Sequence, residues 1–210
     1  MKLVQFCLLA GVFPGWSETR EAMFAPITLY TQFQQAPPAG VLEALQDEVD
    51  SIMAPIGLRF EWRDLDKGGR HEVSAELAVV TFKGRCDIAG LKTRTRLEGA
   101  LGWTHVSDGQ ILPFTDISCD RVREFVQPGL LTFPAEDREE IYGRALGRVL
   151  AHELYHIFAN TMRHGSMGVA KGSYNVQDLL ADEFQFEAKE SRMLRTNRPK
   201  PAAEGTAGMM

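Results

Sequence analysis

The chain has 210 residues, of which 44% are hydrophobic and 24% charged, with a formal net charge of −5. These are ordinary proportions for a single globular domain with a real core, and the acidic balance argues against nucleic-acid binding. No apolar run reaches the roughly 18 residues that a bilayer span requires.

The first residues, "MKLVQFCLLAGVF", carry one early Lys and then a largely apolar run to Phe13. That pattern resembles a short secretory signal over residues 1–20 and predicts export. A buried first strand or helix is the alternative. If Cys7 leaves with the signal, Cys86 and Cys119 remain. They could form one disulfide in an oxidising compartment or stay as two buried thiols.

"ITLYTQF" (27–33) alternates as a strand does. From Pro38 to Met53 the apolar residues Val41, Leu42, Leu45, Val49, Ile52 and Met53 recur at helical spacing, and Pro55 with Gly57 ends the run. "LRFEWRD" alternates again, with Leu58, Phe60 and Trp62 on one side. His71, after two glycines, reads as a surface loop residue. "ELAVVTF" (76–82) is nearly continuous and apolar, which predicts a central strand buried on both faces. "ALGWTHV" and "QILPFTDI" flank Ser107-Asp108-Gly109, where the Asp-Gly pair predicts a hairpin. Pro113 places the second of these strands at a sheet edge.

A long helix is expected next. Pro134 suits its first turn, and Glu136, Asp137, Glu139 and Glu140 suit the positive end of its dipole. Ile141, Ala145, Val149, His152 and His156 form one stripe; Leu146, Leu150, Leu154 and Ile157 form a neighbouring one. The second half of this helix should therefore be buried. A last helix is expected from about Val176 to Leu194, carrying Leu179, Leu180, Phe184 and Phe186. The Pro/Gly/Ala-rich tail, 196–210, reads as disordered. Residues 26–195 then form one α+β domain, a small sheet packed on two main helices, without internal repeats.

Three of the five histidines fall between His152 and His164. In "HELYH", His152 and His156 stack on one helix face at a spacing that lets both imidazoles share a metal ion. Glu153 projects about 100° round from His152, placed for a metal-bound water rather than for the metal. Catalytic zinc commonly takes three protein ligands and leaves a position open. On a continuing helix His164 would lie about 12 Å further along the axis, out of reach. Asn tolerates the left-handed conformation that ends helices, so Asn160 can stop this one and let the chain return His164 to the metal. The alternative is a buried helix whose histidines are satisfied by hydrogen bonds.

HExxH, a turn residue and a third His resemble the metzincin clan of zinc peptidases. In that clan the third ligand usually comes six residues after the second, following a Gly at three; here Ala159 stands at three and the His comes at plus eight. The spacing is more similar to a group of predicted bacterial zincins of the form HExxH-x7-H, which carry a Gly where Asn160 stands. Those continue H-S-x-x-G-[IL]-M-[RK]-x-x-W, and Gly168, Val169, Lys171 and Tyr174 fit that run. Ala170 occupies the place of the Met that floors the metal in metzincins, with Met167 a candidate to fill the space.

The resemblance implies a zincin-like fold: a small mixed sheet packed on a backing helix and a long active-site helix, with a C-terminal helix. It implies one Zn²⁺ held by His152, His156 and His164, with Glu153 as general base of a peptidase acting on a peptide or protein substrate. Leu101 to Ile117 is the candidate edge on which an extended peptide would add. Tyr174 and His105 are conceivable oxyanion donors, though a packed Tyr and a surface His are the simpler readings. Asp178, Asp182, Glu183 and Glu187 read as a solvated face or as partners orienting a ligand histidine. The rival reading is a catalytically inactive zinc-binding structural or interaction protein on the same scaffold. Oligomeric state is not legible in the sequence.

Overall fold

The computed structural model describes residues 26–67, 74–91 and 99–197. The expected signal, His71 and the tail beyond Asn197 lie outside the described residues. Alternation at the start of this span produces the strand it predicts, β1 (Ile27–Phe33), with Ile27 and Leu29 fully buried. β1 pairs in parallel with β2 (Phe60–Asp64) on one side and β3 (Leu77–Lys83) on the other. β3 pairs in parallel with β5 (Gln110–Ser118), and β5 pairs antiparallel with β4 (Gly102–Ser107). The strand order is β2-β1-β3-β5-β4, so among the described residues β4 is an edge strand, as is β2 at the other side.

Two expectations about the sheet need correction. β3 is central, but its burial alternates: Ala78, Val80 and Phe82 are fully buried and their neighbours only partly so. One face meets the helices and the other is half-covered. β5 is interior, not an edge. Pro113 is tolerated because the β4–β5 register jumps from Thr104↔Thr115 to Val106↔Ile111, leaving it inside the irregularity. Pairing of β5 with β3 begins only at Phe114, so the missing N–H interrupts neither ladder. The hairpin itself forms as expected, with Asp108 (φ 50°) and Gly109 (φ 76°) both left-handed, the conformation a two-residue turn of this hand requires.

Against the buried face lie α1 (Ala39–Met53) and α3 (Arg138–Phe158). Their apolar stripes meet the sheet and each other: Val41, Leu45, Val49 and Met53 from α1, Leu146, Leu150 and Leu154 from α3. The observed arrangement is the expected α+β one, a small mixed sheet on a backing helix (α1) and a long helix (α3). Gly143 and Gly147 set how closely the two helices approach. A Cβ on Gly143 would lie 2.5 Å from the Val41 carbonyl oxygen and 2.8 Å from the Ala44 Cβ. One on Gly147 would lie 2.8 Å from the Leu45 carbonyl oxygen. Gly143→Ala should therefore lower the melting temperature, although Ala is the better helix former by about 1 kcal/mol. Forcing a methyl into packed backbone costs about 1–3 kcal/mol. Thermal unfolding of the two proteins side by side checks the sign.

Two further corrections concern helices. A helix absent from the sequence reading, α2 (Cys119–Leu130), follows β5 directly. Its buried residues Cys119, Val122, Val126 and Leu130 recur at three and four. Cys119 is bonded to Cys86, 33 residues earlier, which ties the start of α2 to the segment after β3. The long helix expected over 176–194 is two short ones, α4 (Val176–Leu180) and α5 (Ala188–Thr196). Asn175 and Asp178 form a reciprocal capping box that starts α4, and the chain turns extended at Ala181 (ψ 159°). Arg148, 1% exposed, docks α4: its Nε donates to Glu48 Oε1 at 2.6 Å and its Nη1 to the Asp178 carbonyl at 3.2 Å.

Candidate metal centre

The end of α3 decides the geometry of the centre. Ala159 closes the helix in the right-handed conformation and Asn160 follows at φ 47°. The Asn160 N–H donates to the Ile157 carbonyl and the Thr161 N–H to the His156 carbonyl, both at 3.2 Å. This is a complete Schellman ending with Asn in the left-handed position. The chain then turns back. The Tyr155 hydroxyl donates to the Arg163 carbonyl at 3.2 Å and so props the returning segment. Beyond it the Gly165 N–H donates to the Ala170 carbonyl at 2.7 Å, closing a small loop.

The reversal brings His152, His156 and His164 together, one ring nitrogen from each lying within 4.8 Å of the others. The His164 ring stacks on His152 at 5.2 Å and meets His156 edge-on at 4.9 Å. Gly172 makes room for it, since a Cβ there would lie 2.9 Å from the His164 Cγ. His152 Nδ1 donates to the Val169 carbonyl and His156 Nδ1 to the Thr161 carbonyl, each at 2.7 Å. Those acceptors fix the tautomers, so both Nε2 atoms carry lone pairs. The two Nε2 atoms are 3.1 Å apart. Facing lone pairs at that distance repel unless a cation lies between them. A tetrahedral ion with bonds of about 2.0–2.1 Å would hold two nitrogens about 3.3 Å apart, so the donor set fits a metal.

Burial holds the His152 imidazole down at about 4, the neighbouring His156 and His164 adding to the effect and the Val169 carbonyl opposing it. His156 is also lowered by burial, with the Thr161 carbonyl opposing and His164 adding to the effect. Both are therefore neutral, ligand-competent imidazoles at neutral pH. Glu153 lies outside this cluster of ligand atoms, and its side chain meets β4. Its Oε2 accepts from the Thr104 hydroxyl at 2.7 Å, and it is 5% exposed. Burial raises its carboxyl to about 7, with the Thr104 bond opposing the shift.

These two shifts make the metal-free protein sensitive to pH in opposite senses. Below pH 6.5 the unfolded chain protonates at residue 152 and the folded one resists down to about 4. Above pH 4.5 the unfolded chain ionises at residue 153 and the folded one resists up to about 7. The Glu153 penalty is thus complete only above pH 7, and a shift of this size is worth on the order of 3 kcal/mol. Metal-free Glu153→Gln should match wild type near pH 4 and be the more stable protein at pH 8. Melting temperatures across that range in the presence of chelator test this.

Other sequence candidates lie elsewhere. The Tyr174 hydroxyl donates to the Val169 carbonyl and sits 2.9 Å from His152 Nδ1, behind the ring rather than on its Nε2 side. His105 pairs through Nε2 with Asp116 at 2.8 Å, beside Lys83. The carboxylates of 178–187 do not orient the histidines. Asp178 bonds Lys171 and caps α4, and Glu187 accepts from Ser166. Backbone carbonyls take the orienting role, the alternative to a solvated face that the sequence left open for these carboxylates. Met167 is 62% exposed and does not fill the space beside Ala170, which is buried against Val169 in the turn under His152. Thr104 and Gly102 escaped the sequence reading, because nothing local marks a residue whose partner, Glu153, is dozens of positions away; Gly172 escaped it because only the fold of the loop brings it against His164. Among the described residues no helix is long and apolar enough to cross a membrane.

No family model and no curated protein matches the sequence. Among solved structures, the crystal structure of archaemetzincin from Methanopyrus kandleri is similar, with a TM-score of 0.47 and 13% identity over 85% of this chain and 97% of that one. At that level neither membership of a family nor an activity follows.

Proposed function

We propose that this chain is an exported zinc-dependent peptidase in which Glu153 is the general base. The observation that carries the reading is the convergence of three imidazoles with a buried carboxylate on the next residue of the helix, held against the edge strand β4. His152, His156 and His164 would hold one ion through neutral nitrogens, a donor set that suits zinc. Bound there, zinc supplies Lewis acidity, which lowers the pKa of water and polarises a carbonyl. Glu153 takes the proton of the attacking water and returns it to the leaving amine, a task favoured by a carboxyl held near neutral pH.

β4 offers the substrate a place to lie. The Ser118 N–H donates to the Leu101 carbonyl at 2.8 Å. In the antiparallel alternation that follows, Leu101 and Trp103 turn their backbone groups toward β5, while Gly102 and Thr104 turn theirs outward. An extended peptide can add to those outward groups as a further strand beside Glu153. The Cys86–Cys119 disulfide supports a location outside the reducing cytosol.

The test is metal analysis of the purified protein together with cleavage of a diverse peptide library, with and without chelator. Bound zinc and chelator-sensitive cleavage are expected. Bound zinc with no peptide cut would favour the inactive zinc-binding scaffold. A protein without zinc, unmoved by chelator, would leave only a histidine-containing core helix.

A further inference from the structure

The reading of Glu153 as a base leaves open which of its oxygens works and what aims it. Thr104 sits on β4 and is 8% exposed, and its hydroxyl reaches across to Glu153 Oε2 at 2.7 Å. The same hydroxyl lies 3.2 Å from the Glu153 carbonyl, so it is anchored to the helix backbone as well. Two residues back, Gly102 abuts the other side of the carboxylate: a Cβ there would lie 3.0 Å from Oε1 and 3.0 Å from Cγ. The edge strand therefore presents Glu153 with a donor at residue 104 and a notch at residue 102. One oxygen is tied down and the other is left with room around it. These are also the two residues whose backbone groups turn outward from β5.

Resting on the peptidase reading, we propose that Thr104 is a positioning residue, which ties Oε2 of Glu153 so that Oε1 alone faces the reacting water. Gly102 keeps that oxygen uncovered. A peptide that adds to β4 then meets a base already aimed, because the strand that receives the peptide also holds the carboxylate. The hydrogen bond adds nothing to metal binding, since Thr104 bonds none of the three imidazoles.

Thr104→Val keeps the shape and removes the donor; Thr104→Ser keeps the donor. Thr104→Val should lower kcat by about ten- to a hundred-fold, the worth of a hydrogen bond to a charged group, with KM and zinc affinity at wild-type values. Thr104→Ser should recover most of the loss. A second readout needs no activity. In metal-free protein the melting-temperature change caused by Thr104→Val should shrink when Glu153 is already Ala, since the bond it breaks is then absent. If Thr104→Val does not fold, Thr104→Ala enters the same comparison. Wild-type kcat in Thr104→Val, a Thr104→Ser protein as impaired as Thr104→Val, or additive melting shifts would each overturn the proposal. If the wild-type protein cuts no peptide, the peptidase reading fails separately, and additivity or coupling of the melting shifts still decides whether Thr104 holds Glu153.

Discussion

Glu153→Gln is expected to lower kcat/KM for peptide cleavage by about 10²–10⁴-fold, the contribution of a positioned acid–base group, while zinc content stays at the wild-type level. The amide keeps the volume of the carboxylate and can still accept from Thr104, so the packing between α3 and β4 is preserved. It cannot take a proton. Because Glu153 is not one of the three clustered ligands, none is lost. Steady-state kinetics and elemental analysis on the same preparation separate the two effects. Zinc lost in step with activity would mean that Glu153 ligates the metal or that the substitution has disturbed the helix.

The second large effect is expected at the other end of the motif. His164→Ala should weaken zinc binding by more than the roughly 10–100-fold that removal of an orienting partner costs. Asn160→Val should also weaken it, although residue 160 contributes no ligand atom. A β-branched residue at φ 47° is strained by roughly 1–2 kcal/mol, and the strain is relieved by opening the turn that delivers His164. Asn160→Gly, which takes that conformation freely, should bind as wild type does. Competition against a chromophoric chelator measures all three. Equal affinities for His164→Ala and wild type would remove residue 164 from the site.

The reversal at Asn160 could be read in advance because it follows from distance alone: eight residues of helix are too long for one metal. The hairpin at Asp108-Gly109 was legible for a similar reason, since few residue pairs accept two positive φ values. What failed were inferences in which one residue's preference was allowed to outvote its neighbours. Pro113 pointed to an edge, but a register irregularity absorbs it inside the sheet. Pro128 and Gly129 lie inside α2 and mask the spacing of Val122, Val126 and Leu130. Leu179, Leu180, Phe184 and Phe186 look like one helical face, yet a cap at Asn175 and an exit at Ala181 confine the helix to five residues. The contacts of Glu153 with Thr104, of Gly143 with Val41 and of His164 with Gly172 depend on how elements meet. No periodicity within one element encodes them.

All three imidazoles belong to a single stretch, 152 to 164. A chelate so local does not vanish when the sheet and backing helix come apart. The denatured chain keeps the same histidines within a short loop and competes for the ion, so each decade of affinity adds less to the melting temperature than mass action on the native state alone would give. Zinc is therefore expected to act as a working part of this fold more than as its fastener.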